Sequence, residues 1–162
     1  MNILKILFSA IIFLFFILSY ASAGTKHTIE GKAFNMQEDT KTTPMANGFA
    51  MGTWSDNSWW IYSNPPEGWP EMLRAHCSGK GIPTAEGGLV AANFMCHAFD
   101  ADQDVFMTRG SIDPATWNGT WDFIAGTGKY KGITGGGTMM FGPQISPTDS
   151  TLTFTSILEF PN

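Results

Sequence analysis

The chain has 162 residues, with 9 Lys and Arg against 14 Asp and Glu, a formal charge of −5. That balance leaves no basic patch, which argues against a nucleic-acid partner and against a purely electrostatic hold on an anionic membrane. The length suits one ordinary domain with its own core.

The chain opens on a processing signal. Lys5 gives a short positive start, Ile6 to Leu18 is almost unbroken apolar sequence, and Ala21-Ser22-Ala23 is a small-residue cleavage site. Residues 1–23 are therefore read as a signal peptide, and 24–162 as a single domain. The alternative is a retained membrane anchor, but the apolar run is short for a span of about 20 residues. With the leader removed no stable membrane anchor is left, and losing Lys5 leaves 8 basic against 14 acidic side chains. The expected destination is the periplasm or the exterior, where a disulfide persists.

The mature sequence shows no long apolar pattern of period 3.6. It has short runs rich in Thr, Phe, Trp, Ile and Val, cut by Gly, Pro, Asn and Asp. That pattern marks an all-β sandwich or barrel. A first strand is read near His27 to Met36, with a polar turn over Gln37 to Pro44. Met45 to Trp54 reads as a second strand, Asp56-Asn57 as a turn, and Ser58 to Tyr62 as extended chain. Asn64 to Pro70 contains three prolines, which exclude a central strand.

Glu71 to Gly81 and Leu89 to Asp100 form the arms of a hairpin that carries the two cysteines. Asp100, Asp102 and Asp104 turn the chain into Val105 to Ile112. Thr120 to Ala125, Thr138 to Gly142 and Ser150 to Phe160 are further strands, separated by a glycine-rich stretch over Gly126 to Gly137. About eight antiparallel strands follow from this spacing. Eight is a number at which a barrel can close, and closure removes exposed edges.

Two cysteines permit one internal bridge; free thiols or an intermolecular bridge are the alternatives. If Cys77 faces Cys96 in the ladder, His76 faces His97, and a cystine on one face puts two imidazoles on the other. Two assignments are open. The cystine points inward and the histidines form an ordinary surface pair, or the imidazoles enter the interior with Arg74, Met95 and Phe99 on their face. Trp59 and Trp60 are adjacent in a strand, so they cannot both be interior.

Gly126-Thr-Gly-Lys-Tyr-Lys-Gly-Ile-Thr-Gly-Gly-Gly-Thr138 resembles a segment of the allene oxide cyclase and dirigent-like (calycin-type) β-barrels, which carry a G-[ST]-G-x-[FY] turn before a glycine-rich strand. The upstream Cys–Gly pattern and the D-x-D-x-D turn also resemble small exported bacterial proteins of unknown function. The firm match covers about a dozen residues. The resemblance implies an eight-stranded barrel whose lumen takes small apolar molecules, and in some relatives a cyclisation without a cofactor. No catalytic residue of those families maps onto a position here.

Other chemistry is excluded by spacing. A phosphate-cradling loop needs Gly where Phe123 stands and Ser or Thr where Tyr130 stands. A calcium loop that opens on Asp100 needs Gly at Val105 and Glu at Ser111, so the acidic run reads as a solvated hairpin turn. There is no G-x-S-x-G, H-E-x-x-H or C-x-x-C arrangement, and neither a metal nor a cofactor is expected.

Three functions remain. The first is an exported barrel that binds a small apolar or amphipathic molecule against Trp59, Trp60, Met95 and Phe99. The second is a cofactor-free cyclase or isomerase using His76, His97 and Arg74 inside the lumen as acid–base and anion-holding groups. The third is a cell-envelope structural or interaction module that uses surface aromatics such as Trp59 or Trp60.

Overall fold

The structure, a computed structural model, describes residues 24–46, 49–84 and 89–161. The signal peptide expected over residues 1–23 lies outside these residues. Eight strands run in chain order: β1 (Thr25–Pro44), β2 (Ala50–Tyr62), β3 (Met72–Pro83), β4 (Leu89–Phe99), β5 (Val105–Asp113), β6 (Asn118–Gly126), β7 (Thr134–Gln144) and β8 (Asp149–Phe160). Each pairs antiparallel with the next, and β8 returns to β1, closing the barrel. Every described strand thus finds a partner strand on both sides, and closure leaves no strand at a free edge.

Two turn readings give way to strand. Gln37 to Pro44 continues β1 through a register shift between Gln37 and Asp39. Asp56 and Asn57 sit in mid-β2, where Asp56 pairs with Gln37 on one side and Cys77 on the other. Pairing on both flanks satisfies the backbone here and overrides the local preference of Asp-Asn for a turn.

Alternation along the strands sorts the side chains. Ile29 and Ala33 on β1, Leu73, Ala75 and Cys77 on β3, and Ala92, Cys96 and Ala98 on β4 are all buried inside the barrel. One end of the barrel is solid. The proline loop after β2 folds beneath it and seats Trp69 against Tyr62, Phe106, Tyr130 and Phe160, with ring centroids 5.1 to 5.7 Å apart. Such edge-on and tilted contacts add to the burial of large rings.

The same end is clasped from outside the ladder. Asp100 and Tyr130 are buried. Asp100 accepts hydrogen bonds from the amides of Asp102 and Asp104 at 2.8 and 3.1 Å, and from the Tyr130 hydroxyl at 2.9 Å. Lys129 Nζ lies 2.8 Å from Asp100 and 2.9 Å from Asp102. Burial pushes the Asp100 carboxyl up, but the bonds from Lys129, Tyr130 and the two amides outweigh it and hold it below its usual range. The G-T-G-K-Y segment and the D-x-D-x-D turn are therefore two halves of one closure.

Candidate functional site

The other half of the barrel is hollow. A cavity of about 490 Å³ lies between the Trp69 plug and the opposite mouth. The rings that line it do not fill it, because some pack directly against glycines paired with them on neighbouring strands. A Cβ on Gly79 would stand 2.1 Å from the Trp54 ring, and one on Gly110 would stand 2.2 Å from Phe94. The missing side chains let the aromatics press against the wall and leave the axis open.

Most of the lining is apolar, with Trp54, Trp60, Phe94, Trp121, Phe141 and Phe154 prominent. A polar stripe runs down β1, β2 and β8. Ser58 donates to Asn35 Oδ1 at 2.5 Å, Trp60 Nε1 donates to Ser58 at 2.9 Å, and Asn35 Nδ2 donates to Ser150 at 3.4 Å. Next to Ser58 on the same inward face of β2 is Asp56, the single carboxylate among the described lining residues, which include no Lys, Arg or His. Its Oδ1 is buried without a hydrogen-bond partner. Burial pushes the Asp56 carboxyl up to about 6; the His76 charge opposes the rise and the Glu38 charge adds to it.

The disulfide joins Cys77 to Cys96, which are paired directly across β3 and β4, and it forms part of the cavity wall. Its inward direction decides the histidine question. His76 and His97 face each other on the outer wall, ring centroids 5.3 Å apart. His76 Nε2 stands 3.2 Å from Glu38 Oε2, and Asn57 donates to the other Glu38 oxygen. Arg74 lies over the Phe99 ring, also outside. A lumen role for His76, His97 and Arg74 does not fit this geometry, since strand alternation sends all three away from the cavity.

The expected ligand wall divides in the same way. Trp60 lines the cavity, and its neighbour Trp59 faces out between Phe34 and Arg74. Met95, 45% exposed, and Phe99 are on the outer face with His97. Residues not singled out from the sequence supply the rest: Asp56, Trp54, Phe94 and Trp121. Phe94 and Trp121 alternate correctly within their strands and could have been found by that test. Asp56 could not, once its dipeptide was read as a turn.

At the mouth, Trp117 has φ of 55°, in the left-handed region that a bulky residue rarely enters. The turn that holds it is built on Asp113, which accepts from the Ala115 amide, the Thr116 hydroxyl and, through its carbonyl, the Trp117 amide. The Trp117 ring meets Phe141 edge-on at 6.1 Å and lines the rim.

These features define a class: a closed, eight-stranded, disulfide-pinned barrel with a plugged floor and a ligand-sized aromatic lumen. Comparison with solved structures places the fold among dirigent-like barrels. A pterocarpan synthase dirigent protein superposes with a TM-score of 0.52 at 11% identity, over 86% of this chain and 88% of its own. At that identity the likeness concerns the fold alone. No protein-family model matches the chain, and no curated protein matches it in sequence.

Proposed function

We propose that this is an exported barrel protein that holds a small apolar or amphipathic molecule in its lumen. The observation that carries the reading is the hollow half of the barrel, about 490 Å³ in volume and walled by rings around a few polar groups. That is the usual make-up and size of a small-molecule site. The glycines beneath Trp54 and Phe94 support it, because they keep open a space that ordinary side chains would fill.

Intrinsic fluorescence tests it. Trp54, Trp60 and Trp121 line the cavity, so titration with small neutral aromatics should shift or quench the emission. Leu152→Trp enlarges a side chain that already lines the lumen and should abolish the response while the circular dichroism of the barrel persists. A response that survives this substitution would show that the compounds bind elsewhere.

A second reading adds proton transfer. Asp56 is an acid held near neutrality in an enclosed apolar space, the condition in which a carboxyl can serve as general acid or base without a cofactor. It requires turnover that bends near pH 6 and disappears in Asp56→Asn. Binding without turnover across a panel of cyclisable substrates leaves the first reading alone standing.

A further inference from the structure

We infer that the lumen selects small cationic amphiphiles, an amine or quaternary ammonium joined to an apolar body. The inference rests on the lumen-binding reading and names its ligand class.

Three observations converge on it. The first is the sign of the charge available inside. Asp56 is the one carboxylate among the described lining residues, and no basic side chain accompanies it. The second is that this carboxylate is not used by the fold. Its Oδ1 is buried and bonded to nothing, although Asn35, Ser58 and Trp60 beside it satisfy one another. A buried polar atom without a partner is costly, and a ligand donor is one way to satisfy it. The third is the character of the walls. Trp54 is two residues from Asp56 on the same face of β2, with Trp60 on its other side, and Phe94 and Trp121 also line the space. Aromatic faces carry negative potential, and a cation that is desolvated against them is attracted more strongly than one in water.

Anionic amphiphiles meet the opposite field. A fatty acid or sulfonate would bring its charge into an enclosed space with a carboxylate and π faces and find no Lys or Arg. The groups packed around Asp56 do not change this. Gln37 and Cys77, its cross-strand neighbours, are neutral. His76 and Glu38 act on it from the outer wall, and there they pair with each other.

A pair of isosteres isolates the charge. Benzyltrimethylammonium and neopentylbenzene have the same shape and differ by nitrogen for carbon at one centre. Both are titrated into the full mature chain, with tryptophan emission and calorimetry as readouts, and 1-anilinonaphthalene-8-sulfonate serves as the anion. At pH 8 the cation should bind at least about tenfold tighter than its neutral isostere, and the sulfonate should bind weakest. Asp56→Asn should cut the ratio of the two affinities severalfold, down to what the aromatic faces alone supply. Lowering the pH from 8 to 5 should weaken the cation and leave the isostere unchanged. Equal affinity of the two isosteres for the unmodified protein, or a preference undiminished in Asp56→Asn, overturns the inference and leaves lumen binding intact. Failure of every probe to bind takes away the lumen reading itself, and the inference with it.

Discussion

The chemistry of this barrel concentrates on Asp56. An inward carboxylate with a partnerless, buried oxygen is not what stability alone would choose. The sign of its effect follows from its titration. Its folded value is raised from 3.8 to about 6, so between those values the folded state holds a proton that the unfolded chain has released. Stability therefore falls as pH rises through that window, and the full penalty remains above it, at most about 3 kcal/mol. Asp56→Asn should melt a few degrees higher than the parent at pH 7.5 and within a degree or so of it at pH 4, by circular dichroism. A parent that is the more stable of the two at pH 7.5 would mean the carboxylate has a partner after all. The residue was illegible in the sequence for a specific reason. Asp-Asn is among the strongest turn dipeptides, and only the register of β1 and β3 on either side makes it a strand. The cystine, by contrast, was anticipated as one of the open pairings, and once Cys77 is set opposite Cys96 the constant-sum rule puts His76 opposite His97, as the register shows.

At the scale of elements, two devices hold the barrel in register. One is the staple between β3 and β4. Nineteen residues separate its cysteines, so in the chain-entropy account the cross-link contributes about 3 kcal/mol. Cys77→Ser with Cys96→Ser should lower the urea midpoint accordingly, and it should also weaken any lumen ligand, since the cystine is part of the wall. The other device is the clasp between the Asp100 turn and the short 3-10 turn Gly128–Tyr130. Gly128 has φ of 48°, and a Cβ there would stand 1.8 Å from the Asp104 carboxylate. Gly128→Ala should therefore cost more than the roughly 1 kcal/mol of an ordinary glycine replacement. Tyr130→Phe leaves the ring in its socket and removes only the donor to Asp100, so about 1–2 kcal/mol is expected in urea unfolding. A Gly128→Ala protein as stable as the parent would show that the clasp is dispensable. The glycine-rich stretch could be read in advance as a tight turn; its partner could not. Asp100, Asp102 and Asp104 looked like a self-contained hairpin turn, and sequence spacing alone does not bring residue 129 to residue 100.

Taken whole, the molecule has a solid end and a hollow end, and a carboxylate in each, Asp100 and Asp56, with opposite pH dependences. Asp100, in the solid end, is held below its usual range, so its contribution is present above about pH 4 and is lost as the solution is acidified. Asp56, in the hollow end, imposes its cost as pH rises from 3.8 to about 6. The two windows meet near pH 4. The combined effect of these two carboxylates therefore favours the ligand-free fold most there. Urea midpoints from pH 3 to 8 should trace a rise, a summit and a fall. Asp56→Asn should keep the rise and flatten the fall. Asp100→Asn should blunt the rise and keep the fall. A saturating lumen cation should restore stability on the neutral side alone, because only there is Asp56 charged and in need of a partner. Loss of both limbs in either single variant would show that the two ends do not titrate independently, and the division of this barrel into a structural half and a binding half would have to be given up.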